Sequence, residues 1–173
     1  MPTLDEVLES FPGRRFSINT KSNNPIEGDL LAARLARLSD AERDLISLIV
    51  GGNRLYRVLH EEFPTMPMAN ETAALKCLKD YFIWGWSGLV PASCRHNDFS
   101  VPKNYSWMLW GYPDRLRARM NAAGVKVPLL PPYYGGIFDP AFDHPEDLEN
   151  VPHGYGIITN KIEIIGPAWH ETH

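Results

Sequence analysis

Strands and helices alternate about six times along this chain, and this alternation constrains the fold more than any other sequence feature. The clearest strand is the apolar run of residues 45–50, which Gly51 and Gly52 follow. A continuous apolar run of this length predicts a strand that is buried on both faces. Repeated strand–helix alternation favours a parallel sheet with right-handed crossovers.

Two architectures satisfy this pattern, a doubly wound open sheet and a (β/α) barrel. No glycine-rich nucleotide-binding motif follows any predicted strand, so the barrel is favoured. A complete barrel has eight strand–helix units and about 250 residues, whereas this chain has 173. We therefore predict an α/β fold, an incomplete TIM-type barrel of about six of the eight units. Residues 1–173 are expected to form one domain.

The first unit of the chain is well marked. Thr3 and Glu6 have the spacing of a capping box, which predicts a helix beginning there. A strand with alternating apolar residues follows it and ends in Asn19 and Lys21. Ser39 and Glu42 have the same capping-box spacing further along the chain, and Asn53 is expected to cap the helix after Gly52.

Composition excludes some classes of protein. The net charge of −4 and the pI near 5.8 argue against nucleic-acid binding. No apolar stretch is long enough to span a membrane. The chain as written is expected to be cytoplasmic. Its two cysteines lack a metal-binding or redox spacing, so Cys77 is interpreted as a small buried thiol.

A parallel barrel places its active site at the carboxyl ends of its strands. The polar residues at these predicted ends include two lysines and no carboxylate, which suits an anion better than a divalent cation. They are Asn19, Lys21, Gly51, Gly52, Asn53, Lys103, Asn104, Tyr133, Tyr134, Thr159 and Asn160.

Two features leave alternatives open. The backbone amides of residues 51–53 either bind a phosphate or form a tight turn with an asparagine cap. The aromatic residues 81–86, with Trp107 and Trp110, either line a groove for an acyl or glycerol group or pack as core and rim.

Three segments, residues 2–21, 109–125 and 154–167, together resemble the glycerophosphodiester phosphodiesterase family. They are similar to its third barrel strand with the preceding helix, the helix before strand seven, and strand eight. The resemblance implies a hydrolase of lipid and glycerol metabolism that cleaves a small phosphodiester to an alcohol and glycerol 3-phosphate. It also implies a divalent cation, Ca²⁺ or Mg²⁺.

The resemblance assigns roles to individual residues. Lys21 matches the lysine of strand three and is expected to neutralise a phosphate. Asn19 stands where the family has a glutamate that binds the metal. Lys103 and Asn160, at two further strand ends, complete the predicted substrate-binding set.

The family's catalytic His-Arg-Gly motif, its acidic metal-binding pair and its second histidine belong to the first two strands and have no counterpart here. None of the six histidines falls where an acid–base pair is needed, so no catalytic residue is predicted; they are His60, His96, His144, His153, His170 and His173. The sequence thus predicts an N-terminally truncated family member that is inactive by itself. The alternative is a non-catalytic anion-binding remnant or interaction module of the same fold.

A third hypothesis is an unrelated α/β binding protein. A truncated barrel leaves two open sheet edges, which predicts self-association through them. A leader sequence upstream of Met1 would make the protein secreted or periplasmic, as the resemblance implies for some family members.

Overall fold

A computed structural model describes residues 2–95, 99–134 and 141–172. The chain divides into two compact units, one ending at Glu71 and the other beginning at Thr72. The assignment of residues 1–173 to a single domain stays a prediction. Two of the six histidines, His96 and His173, lie outside the described residues.

The described helices and strands are short, and most fall where the sequence pattern places them. The helices are α1 (Leu4–Ser10), α2 (Pro25–Leu35), α3 (Asp40–Arg43), α4 (Asn53–Glu62), α5 (Glu71–Trp84), α6 (Lys103–Ser106), α7 (Asp114–Ala122) and α8 (Ile162–Thr172). The strands are β1 (Phe16–Thr20), β2 (Ile46–Val50), β3 (Met68–Ala69), β4 (Val101–Pro102), β5 (Pro128–Leu130) and β6 (Gly156–Ile157). Short 3₁₀ turns occupy Gly85–Ser87, Ala92–Cys94 and Pro145–Leu148.

The first unit is a parallel sheet with the strand order β1-β2-β3. Ile18 pairs with Leu48, and Leu48 pairs with Met68, so these side chains share one face of the sheet. That face lies in the same apolar cluster as residues of α2 and α4. The two helices approach closely at Gly28, where an added Cβ would lie 2.7 Å from Leu55 Cδ1.

The other face of this sheet is more polar and less buried. Ser17 and Asn19 are exposed, and Ser47 and Ile49 are only half-buried. The prediction that the strand at residues 45–50 is buried on both faces is therefore wrong. Burial of β2 alternates along the strand because the helices of its own unit cover one face.

Local signals near the helix ends have mixed outcomes. Both capping boxes are confirmed, Thr3 with Glu6 and Ser39 with Glu42. The predicted cap at Asn53 is wrong, because Gly52 is the N-cap of α4 and contributes no side chain.

The second unit has its own parallel sheet with the order β4-β5-β6. Its core contains Tyr81, Phe99, Phe142 and Ile165, none of them more than 1% exposed. The described C-terminal residues form α8, which includes His170.

Cys77 and Cys94 form a disulfide bond, so the interpretation of Cys77 as a free thiol is wrong. The bond links α5 to the 3₁₀ turn at Ala92–Cys94, with a Cα–Cα distance of 4.7 Å. Both residues are fully buried. A separation of 17 residues carries no sequence signature of pairing, because only the fold brings the two cysteines together.

The incomplete TIM-type barrel is also wrong. The six strands of the described residues form two separate three-stranded sheets, not one curved sheet of six. Barrel closure needs a continuous hydrogen-bond ladder from strand to strand. The last strand of the first sheet, β3, and the first strand of the second sheet, β4, have only two residues each. Pro102 in β4 also lacks a backbone N–H to donate.

The predicted absence of a membrane span is confirmed for the described part of the chain, where no helix combines the necessary length and apolar character.

Removal of the disulfide tests how far the second unit depends on it. Replacing both Cys77 and Cys94 with Ala should lower the free energy of unfolding by about 3 kcal/mol, because the bond restricts a short loop in the unfolded chain. Urea unfolding with and without dithiothreitol measures this. The wild-type protein should lose stability on reduction, whereas the double variant should not respond. Equal stability of the wild-type protein and the double variant in the absence of dithiothreitol would contradict the prediction.

Candidate functional site

The carboxyl ends of β1 and β2 bring two polar loops together. Gly51 donates its N–H to Thr20 O at 3.2 Å, and Arg54 donates its N–H to Asn23 Oδ1 at 3.0 Å. A Cβ on Gly52 would lie 2.2 Å from Asn23 Oδ1, so the contact requires glycine. The loop after β1 and the loop after β2 therefore form one edge, which we call the first carboxyl edge (residues 20–24 and 50–53).

Two helices begin at this edge. Asn24 caps α2 by accepting from Ile26 N at 3.1 Å, and Pro25 fills the first helical position. Asn23 caps α4 from the neighbouring loop. The amino ends of helices carry a partial positive charge, which favours an anion near them.

Lys21 adds a full positive charge to the first carboxyl edge. Its side chain is exposed, and no salt bridge among the described residues involves it. Two exposed carboxylates also come after the carboxyl ends of strands in this sheet. Glu27 lies in the first turn of α2, and Glu71 comes two residues after β3. They offset part of the positive charge, and the sequence-based set of strand-end residues did not include them.

The residues around Asn19 do not fit a divalent cation. Asn19 offers a neutral carbonyl oxygen, and Lys21, two residues further along the chain, repels a cation. Hard cations such as Ca²⁺ and Mg²⁺ are held mainly by several carboxylate oxygens. In residues 2–95, 99–134 and 141–172 no group of three or more His, Cys, Asp or Glu side chains is placed to hold a metal.

Lys103 and Asn160 lie in the second unit, at the ends of β4 and β6, which the central strand β5 separates. Lys103 Nζ donates to Asp147 O at 3.1 Å and also to Glu149 O. The structure thus gives the Lys103 ammonium a role in holding the loop after residue 145. Its predicted role in substrate binding stays a prediction.

Asn160 is held by Asp143, a carboxylate that is absent from the strand-end residues predicted from the sequence. Asp143 Oδ1 accepts from Asn160 N at 2.8 Å and from Thr159 Oγ1 at 3.2 Å, and Asp143 Oδ2 accepts from Asn160 Nδ2 at 3.2 Å. The backbone N–H of Asn160 is the main cause that lowers the pKa of Asp143 below its usual range. No sequence pattern links Asp143 to β6, because the connection is made by the fold.

Asn104 is likewise committed to the backbone. It donates through Nδ2 to Tyr133 O at 2.7 Å and accepts from Tyr133 N at 2.9 Å. This reciprocal pair joins α6, which directly follows β4, to the loop after β5. The polar residues at the carboxyl ends of β4, β5 and β6 are consequently well hydrogen-bonded to other parts of the second unit.

Asn23 is the residue of the first carboxyl edge that the sequence analysis missed. The signal was present in Asn23-Asn24-Pro25, since asparagine before a proline at the first helical position marks a helix start. The pattern gives one cap for the following helix. It does not show that the other asparagine caps a helix from a different part of the chain.

The described histidines show no acid–base pair. His60 stacks on Tyr56 within α4, with ring centroids 5.3 Å apart. His144, His153 and His170 are exposed in the second unit. The prediction of no catalytic residue stays a prediction, and His96 and His173 lie outside the described residues.

A pocket of about 340 Å³ lies at the opposite, amino end of β1 and β2. Two of its four charged lining residues already have partners. Arg34 pairs with Asp5, and Glu42 accepts from Ser39 in its capping box, which lowers the Glu42 pKa. We therefore regard the first carboxyl edge, with its unpaired Lys21, as the candidate site.

Comparison with protein-family models, with characterised proteins and with solved structures finds no match to this chain. The resemblance to the glycerophosphodiester phosphodiesterase family therefore stays a prediction.

The contact between Gly52 and Asn23 gives a test of the first carboxyl edge. Gly52→Ala should lower the free energy of unfolding by about 1–3 kcal/mol, because the new methyl group displaces Asn23 and uncaps α4. Gly156→Ala is the matched control, since its Cβ would meet nothing closer than 3.9 Å. Urea denaturation compares the two variants. Similar stability losses in both would show that the Gly52 contact is unimportant.

The lowered pKa of Asp143 gives a pH-dependent prediction. A carboxyl group with a lower pKa in the folded state stabilises the protein above its unfolded-state pKa, and this contribution is lost as the pH falls through the folded-state value. Asp143→Asn should therefore lower the urea midpoint at pH 7. The difference from wild type should shrink as the pH falls below 4, the region of an ordinary aspartate pKa of about 3.9. A difference that is independent of pH would contradict this assignment.

Proposed function

We propose that this chain is a non-catalytic α/β module that binds a small phosphate monoester or diester at the first carboxyl edge. The observation that carries the proposal is the position of Lys21, exposed and unpaired among the described residues, beside the loops where α2 and α4 begin. Ligands of parallel α/β sheets bind outside the carboxyl ends of the strands.

The chemistry of this edge suits an oxyanion. A lysine ammonium acts as a positive point charge for phosphate, and the helix amino ends add favourable dipoles. Gly51 is exposed and has no side chain that would keep a ligand away, whereas Gly52 is buried against Asn23. Asn23 and Asn24 already cap the helices, so we expect the lysine charge to supply most of the affinity.

Phosphodiester hydrolysis is the second candidate, which the resemblance of the Asn19-to-Lys21 segment supports. Asn19 lies on the more exposed face of β1, and Lys21 follows directly after Thr20, the last residue of the strand. The donor set at Asn19 does not suit the divalent cation that this activity needs. For this reason we favour binding without catalysis.

The disulfide bond gives information on the cellular compartment of the protein. Disulfides persist mainly in oxidising compartments, so the buried Cys77–Cys94 bond favours a secreted or periplasmic location over the cytoplasm. This location is part of the proposal.

Titration with glycerol 3-phosphate and with inorganic phosphate, followed by NMR or calorimetry, tests the binding proposal. Lys21→Ala should weaken binding by about tenfold, which corresponds to the loss of one charge-assisted contact of ~1.4 kcal/mol. Lys79→Ala removes an exposed lysine of α5 and is the matched control, with affinity expected to stay within about twofold of wild type.

Three results would overturn this proposal. The first is the absence of binding by the wild-type protein, and the second is an equal effect of both lysine variants. The third is turnover of bis(p-nitrophenyl) phosphate in the presence of Ca²⁺ or Mg²⁺ that Lys21→Ala abolishes, which would establish the enzyme instead.

A further inference from the structure

Four tryptophans of the second unit expose much of their rings to solvent. They are Trp84, Trp86, Trp107 and Trp110, with exposed fractions of 55%, 64%, 73% and 47%. We call them the tryptophan surface. A fully buried aromatic ring removes about 150–250 Å² from water, so the exposed ring area is on the order of 500 Å². An apolar patch of this size on a monomer commonly marks an interaction site.

The two segments that carry these tryptophans are joined by hydrogen bonds. Trp110 Nε1 donates to Phe82 O at 2.9 Å, and Tyr81 Oη donates to Trp110 O at 2.8 Å. The end of α5 with its following turn therefore lies beside the turn that follows α6. Trp110 thus lies beside the end of α5, where Trp84 and Trp86 are close to Phe82 in the chain, and Trp107 precedes Trp110 by three residues.

Polar atoms of this surface already have partners within the protein. Trp107 Nε1 donates to Asn104 O at 3.0 Å, and Ser87 Oγ donates to Trp84 O at 2.6 Å. Gly85 O accepts from Arg119 Nη1 at 2.9 Å. Removing a polar group from water is costly unless it is hydrogen-bonded. These groups can therefore enter an apolar layer without losing a partner.

The charge around the surface is mainly positive. Although the whole chain has a net charge of −4, residues 81–119 contain five basic residues, among them Arg95 and Lys103, and only two acidic ones, Asp98 and Asp114. Arg119 lies at the surface through its bond to Gly85. Exposed Arg115 lies beside Gly111, where an added Cβ would be 2.8 Å from Arg115 Cβ. Such a basic rim complements a negatively charged partner.

We propose that the tryptophan surface docks the protein onto an anionic lipid bilayer. Tryptophan is enriched at the interface between water and hydrocarbon, where its ring lies at the level of the headgroups. Basic side chains next to an apolar surface add attraction to anionic lipids. The proposal does not depend on phosphate binding by the first unit, because different residues carry it.

Vesicle co-sedimentation of the full chain tests this proposal, with vesicles of phosphatidylcholine alone and of phosphatidylcholine and phosphatidylglycerol in equal amounts. Wild type should bind the mixed vesicles, with a blue shift of tryptophan emission. The double variant Trp86→Ala/Trp107→Ala should bind at least about tenfold more weakly. Phe11→Ala, which removes a 56% exposed aromatic ring from the first unit, should bind as wild type does.

A charge variant tests the lipid preference separately. Arg115→Glu should weaken binding to the mixed vesicles by about fivefold or more at low salt, and circular dichroism should show an unchanged fold. Failure of wild type to bind mixed vesicles would overturn the proposal, as would undiminished binding of the folded double tryptophan variant. Self-association without lipid that the double variant abolishes would identify a second copy as the partner and would also overturn it.

Discussion

The parallel pairing of β1 with β2 is the interaction on which the first unit depends. Their register places Ile18 beside Leu48, so one apolar face forms and α2 and α4 can pack on it. The same pairing brings the loop of Lys21 beside Gly51 and Gly52. A one-residue shift in register would turn the apolar side chains to the other face and separate these loops. Stability and the candidate site thus have a common origin.

Polar residues at the strand ends have different kinds of partner in the two units. In the second unit Lys103, Asn104 and Asn160 are all bonded to neighbouring loops, and this holds the carboxyl edge together. In the first unit the asparagines cap helices, while Lys21 has no ion-pair partner among the described residues. This difference is the reason for favouring the first carboxyl edge as a binding site.

Local elements were largely predictable from the sequence because their causes are local. The capping boxes at Thr3 and Ser39 follow from side chains that reach only three residues along the chain. The strand β2 follows from a run of apolar residues. The candidate Lys21 was also identified at the end of its strand. The barrel was wrongly predicted because strand–helix alternation specifies parallel pairing but not how many strands join one sheet.

The sequence by itself determined where helices and parallel strands form, the positions of several caps, and the absence of a long apolar helix among the described residues. Only the tertiary structure decided that the strands form two sheets, that Cys77 pairs with Cys94, and that Asn23 caps α4. The same holds for the tryptophan surface, whose segments meet through Trp110 and Phe82. The physical reason is the distance along the chain between the residues that interact. A cap or an apolar period is fixed by residues a few positions apart, whereas these contacts join residues 17 to 31 positions apart and form only after the chain has folded.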